Sequence, residues 1–444
     1  MHDRISAMGD RSTATSHSAR TVGLDFGLGL IDQFIISGSS FLLTLVLANA
    51  LEPRAFGRFS IAWSLLILLE GVVFRGLFDD GLPAAAHRIP AVRWPQLRLG
   101  LYISSVLASG CVGVVLIVAG IGLTIGGSDN GLLAVATGVA VPASRLQSMF
   151  RRFCYLDGRL FRVVASSFIY LVFLVGSTGL MIATGSLSPA IAMSCVAISA
   201  FAAGSLSLLY ARDLMRPRPR LLRWSVARLF KSGKWFVATS LTYWLGSIGL
   251  IPLCGMIVGV EASGSLRIIL LIFAPLSQFC TALVSVRLPR IARALRTSGR
   301  GGIISASRLN ALILGGLSAA YGLAITLFGE PMLGLLIGGR GYQVGRWSLV
   351  FMAIAMTLDG IWLGRALPLF AIGKPQVFLL SRIVGLVGLC CALPGAVYAW
   401  GVTGAVASMA ISSVLSVVAL ILSDRQWIRP PLSSVQEPPA MWPR

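Results

Sequence analysis

The chain has 444 residues, 56% of them hydrophobic and only 12% charged, with a mean hydropathy of +0.84. A water-exposed surface needs far more charge than this, so a soluble domain is excluded and lipid is the solvent that suits the composition. The net charge of +21 would suit nucleic acid, but clustered basic loops between apolar runs account for it without such a partner.

In chain order, residues 1–24 form a polar tail without the apolar core of a secretory signal. Twelve apolar runs follow, each long enough for a membrane helix: 25–50, 57–78, 98–125, 131–151, 162–184, 189–211, 234–258, 263–287, 308–328, 346–370, 375–398 and 402–424. Residues 425–444 form a second polar tail. The expected fold is all-α, a polytopic bundle of about twelve helices in two six-helix lobes, 25–211 and 234–424. With the N-terminus in the cytoplasm, 29 of the 37 Lys and Arg fall in cytoplasmic segments, which is the positive-inside asymmetry. Both termini are therefore expected on the cytoplasmic side of the membrane.

The segment 212–233, rich in Arg and Pro at its start, becomes amphipathic at Leu221, Leu222, Trp224, Leu229 and Phe230 among Arg223, Arg228 and Lys231. It reads as a cytoplasmic linker with a short helix on the anionic inner leaflet. A six-plus-six division about such a linker is the layout of parallel-repeat transporters. The opposite-side loops are short, so no extracytoplasmic domain is expected. The seven cysteines form no CxxC pair, and His2, His17 and His87 lie outside the spans, so no metal site is expected.

Chemistry falls to ionisable residues inside the spans, since each is costly there unless paired or hydrated. The acids are Asp32, Glu70 and Asp359, and the arginines are Arg75, Arg145, Arg267 and Arg365. Glu70 and Arg75 are five apart, Asp359 and Arg365 six, so neither pair meets on its own α-helix and partners must come from other helices, water or substrate. Asp359 is the deepest acid. Arg145 shares a face with Ser148 and Arg152 and is too deep to reach the interface easily. Asp32 lies on a stripe with Asp25, Gly29 and Ser39 that either lines a cavity or packs against a helix. Pro142, Pro252, Pro275 and Pro368 should kink their helices and free carbonyls, and Trp63, Trp235, Trp347 and Trp400 should sit near interfaces.

Several segments carry a family resemblance. DQFIISGSSFLLTLVLANALEPRAFGRFSIAWSLL (32–66) is similar to the first two helices of Wzx-like polysaccharide flippases, in the MATE-like multidrug/oligosaccharidyl-lipid/polysaccharide (MOP) exporter superfamily. The segments 258–294, FAIGKPQ (370–376) and GVTGAVASMAISSV (401–414) resemble later parts of the same family. The resemblance implies a carrier, not an enzyme, that moves a lipid-linked, anionic oligosaccharide by alternating access. It implies membrane lipid and glycan-assembly membrane proteins as partners, and no cofactor beyond a proton or sodium gradient. Arg267 matches the family's arginine in the helix 7/8 region. Arg145 and Arg365 join it as candidate substrate ligands on physical grounds, and Asp32, Glu70 and Asp359 are the candidate coupling acids. A cation-coupled multidrug exporter of the same fold, or a membrane enzyme of cell-envelope glycan synthesis, are the alternatives.

Overall fold

The computed structural model describes residues 27–79, 94–211, 237–338, 341–371 and 375–427. The tails, Asp25 and the linker 212–233 lie outside them. Every regular element among the described residues is helical. They are α1 (Gly27–Ala50), α2 (Pro53–Asp79), α3 (Trp94–Ile125), α4 (Gly131–Leu156), α5 (Leu160–Ala183) and α6 (Pro189–Ala211) in the first half. The second half has α7 (Val237–Leu245 and Leu250–Ile257), α8 (Val260–Thr281), α9 (Ile304–Ile337), α10 (Arg346–Ala371), α11 (375–400) and α12 (402–427).

The apolar run, not the local caps, decides these helices: most are apolar enough to cross a bilayer on length and composition alone. The helix α4, which carries Arg145, Arg151 and Arg152, is not among these, yet it lies against α3, α5 and α6. The stretch Val377–Ser423 is 47 residues, about 70 Å of helix against a hydrocarbon core of about 30 Å. It breaks at Gly401, whose φ of 55° and ψ of −128° lie outside the helical region, so it makes two passes. The chain is thus a multi-pass membrane protein whose described residues make twelve passes.

Two boundaries differ from expectation. Residues 288–307 are helical, so α8 and α9 belong to one helical run, Val260–Ile337. Tyr321 nevertheless donates to the Ile272 carbonyl at 2.7 Å, 49 positions away, whereas a straight helix would separate them by about 74 Å. The run therefore bends back on itself. In addition, α9 continues to Ile337, well beyond the expected end at 328, and the connection to α10 is correspondingly shorter.

The helix α7 breaks by 41° between Leu245 and Leu250. Pro252 supplies the cause: it has no N–H to give the carbonyl four residues back, which is that of Ile248. That carbonyl accepts instead from the Ile251 N–H and from the Ser64 hydroxyl of α2, each at 3.1 Å. Elsewhere glycines permit close crossings. A Cβ on Gly364 of α10 would stand 2.5 Å from Asn310 and Ala311 backbone atoms of α9.

Candidate functional site

At the end of the bundle where α1 meets α2, the two halves are closed on each other. Asn49 Nδ2 donates to the Leu336 carbonyl at 2.6 Å, and the Tyr342 hydroxyl to the Ala48 carbonyl at 2.9 Å. The Tyr342 ring meets Phe56 edge-on at 5.8 Å. Gly57 lies so close to α8 that a Cβ there would stand 1.9 Å from the Val260 carbonyl oxygen. Toward the other end the halves touch at Gly76 and Val237, and Gln33 donates to Gln278 at 2.8 Å.

Between these layers lies Arg267 on α8, two helical turns, or about 10 Å, below Val260. It is half-buried. One Nη donates to the Thr44 hydroxyl of α1 at 3.3 Å, and the guanidinium sits 5.7 Å from the ring centre of Trp63 on α2. Its Nε is buried without a partner, and no carboxylate pairs with it among the described residues. Trp63 is therefore not at an interface as expected: it is buried, and one face serves this arginine.

Arg145 has a different setting. Its side chain is fully buried and all its N–H groups are engaged. Two form a fork to Asp79, at 2.6 and 3.1 Å, one reaches Glu70 at 3.3 Å, one meets the Met149 sulfur, and Nε donates to Ser105. The rings of Phe74 and Phe78 flank it at 6.0 and 5.6 Å. Both acids come from α2, nine residues apart. In an α-helix that spacing puts them on opposite faces. Residues Leu68–Asp79, however, wind as a π-helix, at about 4.4 residues per turn, so nine residues make about two turns and both carboxylates face α4.

Asp32 is likewise fully buried and saturated. It accepts from Arg151 at 2.6 Å and Tyr155 at 2.5 Å, both on α4, and from Ser167 on α5. Asp359 accepts from Arg382 of α11 at 2.9 Å and Ser413 of α12 at 3.2 Å. The Arg382 guanidinium lies 3.6 Å from the Trp362 ring centre and 5.5 Å from that of Tyr243. A small polar cavity beside this pair is lined by Thr242, Tyr243, Ser412 and Ser413. Arg365 is half-buried near the end of α10, where its carbonyl accepts from Ser307 at 3.4 Å, and Arg75 is exposed on the π-wound turn.

The expected site residues thus do not form one constellation. Asp32, Glu70 and Asp359 are each held by an arginine from another helix, and Arg267 stands apart at the interface of the halves. Three residues of these clusters were not expected. Asp79 lies one position beyond the expected span, and Arg151 and Arg382 lie toward the cytoplasmic ends of theirs, where the positive-inside pattern accounts for them.

The sequence matches no family model and no curated protein. Solved structures do match over most of the chain. A multidrug-resistance MATE transporter of the MOP superfamily, inward-facing, aligns with a TM-score of 0.68 at 14% identity, covering 89% of this chain and 94% of that one. The lipid II flippase MurJ, in an inward closed conformation, aligns with a TM-score of 0.68 at 11% identity, covering 89% and 87%. The fold is that of the MATE transporters and of MurJ. The Vibrio cholerae MATE transporter VcmN, in its bent form, aligns at 0.59 with 16% identity, covering 92% and 98%. In this MATE-like fold, closure around Tyr342, Phe56 and Gly57 seals one end above Arg267.

Proposed function

We propose that the chain is an alternating-access carrier that moves an anionic, lipid-linked oligosaccharide precursor across a bacterial inner membrane. Both termini face the cytoplasm, and the closed end is the extracytoplasmic one. The observation that carries the reading is Arg267: a guanidinium at the meeting of the two halves, braced by Trp63 and Thr44, with no acid among the described residues to neutralise it. A charge left so inside a membrane fits a site whose counter-ion arrives with the substrate. Phosphate or an acidic sugar suits it, because the guanidinium fork grips two oxygens at once. Arg365 is a weaker candidate from the same half. Arg145, saturated by Asp79, Glu70 and Ser105, serves the scaffold.

The rival carrier, an exporter of cationic drugs, would use an acidic cavity. Asp32, Glu70 and Asp359 each already face a guanidinium, which disfavours it. The test is flipping of a fluorescent polyprenyl-pyrophosphate oligosaccharide in proteoliposomes. Arg267→Gln abolishes flux and Arg267→Lys leaves a small fraction, both at parental abundance and melting temperature. Parental flux in Arg267→Gln overturns the reading.

A further inference from the structure

Between Glu261 and Glu330 the chain holds seven arginines and no acid. Six of them, from Arg287 to Arg308, gather where α8 passes into α9. Tyr321 donates to the Ile272 carbonyl and Cys280 hydrogen-bonds Ser318, so the run folds back near residues 297–299. The sequence there is Ser298-Gly299-Arg300-Gly301-Gly302. The connection is therefore a helical hairpin, at the end of the bundle opposite the closure around Tyr342.

The level of the hairpin follows from α9. Leu309 and Leu312 are 52% and 73% exposed, which in a membrane helix means that they face lipid tails, and Arg308 beside them is exposed too. The same pairing sets Leu309 level with about residues 284–289 of α8. Beyond that level the chain enters the headgroup layer, about 5–8 Å deep on each side of a bilayer. The arginines begin at once: Arg287, Arg290, Arg293 and Arg296 follow at steps of about 4.5 Å.

Helical spacing gives these positions a common side. Leu288, Ile291, Ala292 and Leu295 fall within about 100° of arc, and the four arginine positions share the remainder. Ile291 is buried in the hydrophobic core, so the apolar arc is seated on the protein and the basic arc is turned away from it. This is not an interfacial helix that dips its apolar face into lipid. Its apolar face is taken, and charge is what it offers the leaflet.

We propose that the α8–α9 hairpin is a binding site for the headgroups of anionic phospholipids in the adjoining leaflet. A membrane surface fits better than an acidic soluble protein, because the basic arc starts at the hydrocarbon edge and both limbs of the hairpin are anchored in the bilayer. Each arginine near an anionic surface adds about a fivefold preference. The inference is independent of what the carrier moves.

The test puts a fluorophore on Ser298→Cys in an otherwise cysteine-free protein, reconstituted in mixed phosphatidylcholine–phosphatidylglycerol vesicles. One lipid or the other carries a spin-label quencher near its headgroup. Labelled phosphatidylglycerol should quench several-fold more strongly than labelled phosphatidylcholine at low salt, and the difference should fade at about 1 M salt. Inorganic phosphate should do no more than other salt of equal ionic strength. Replacing Arg290, Arg293, Arg296 and Arg300 together by Gln should abolish the preference, and replacing them by Lys should keep most of it. Equal quenching by both lipids in the parent, as an acidic protein partner would give, overturns the proposal. So do a preference that survives in the Gln protein, one lost in the Lys protein, and one that phosphate removes beyond the effect of salt, which would mark a free-anion site. If the fourfold Gln protein does not insert, Arg290→Gln with Arg293→Gln, and Arg296→Gln with Arg300→Gln, should each lower the preference; no change in either pair overturns the proposal.

Discussion

Replacing Arg145 separates a scaffold role from a substrate role by magnitude. In Arg145→Ala the guanidinium that Asp79 grips at 2.6 and 3.1 Å and Glu70 touches at 3.3 Å is gone. Removing one member of a buried ion pair costs about 3–5 kcal/mol, because the other charge is left unpaired. At about 1.4 kcal/mol per decade, that lowers the folding equilibrium by roughly two to three and a half powers of ten. Arg145→Lys keeps the charge but has three donors for an environment built around five, so it should lose about 1–3 kcal/mol, the cost of unmet buried partners. Removing both sides, with Arg145→Met, Asp79→Leu and Glu70→Gln, should recover most of the stability, since well-packed apolar replacements of buried pairs are often neutral. The assays are detergent melting, membrane abundance and flux per folded molecule. An Arg145→Ala protein that melts with the parent and has lost only flux would refute the scaffold assignment and return Arg145 to the substrate site.

Other outcomes follow from the closed end and the Asp359 cluster. Tyr342→Phe removes one hydrogen bond to the Ala48 carbonyl, about 0.5–1.5 kcal/mol, and should raise maleimide labelling of Cys254 in a protein keeping only that cysteine. Gly57→Ala places a Cβ 1.9 Å from the Val260 carbonyl oxygen, so it should open the same end further, costing the closed form about 1–3 kcal/mol; unchanged labelling refutes the closure. Arg382→Lys keeps the charge beside Asp359 but loses the guanidinium that lies over the Trp362 ring, and should lower the melting temperature by a loss of about 0.5–2 kcal/mol.

The apolar runs made the twelve passes legible, because bilayer thickness forces their length. Pro252 was legible for the same kind of reason: it lacks the N–H that the carbonyl four residues back would accept in a regular helix, and that carbonyl accepts from Ile251 and Ser64 instead. What hid was the pairing of charges across helices. Asp32 and Arg151 are 119 positions apart, and neither spacing nor composition says that α1 and α4 will turn those faces together. Asp79 was hidden twice, once by lying at the end of its span and once by α-helical arithmetic that sends it away from Glu70. The π winding reverses that arithmetic, and apolar periodicity gives no sign of it. Arg382 hid because a basic residue near a short loop reads as part of the positive-inside cluster. In the fold it lies two turns into α11, over the Trp362 ring. Arg267 lies within an apolar run of the sequence, but only the fold shows that no carboxylate among the described residues reaches it.

The proposed carrier requires an element that the Arg267 site biases and whose contacts differ between states. The helix α2 meets the first requirement. Its far end supplies Phe56 and Gly57 to the closure, Trp63 lies under Arg267, Ser64 donates to the Ile248 carbonyl of α7, Glu70 and Asp79 share Arg145, and Gly76 packs on Val237. Trp63 and Glu70 are seven residues apart, a distance over which a helix transmits displacement with little loss. The second requirement falls on the π-wound half, since π winding is a strained alternative to the α form and is held here by the Arg145 contacts. An anion that draws Arg267 away from Trp63 would shift α2 along its length, and the contact least able to follow is Glu70's 3.3 Å bond to Arg145.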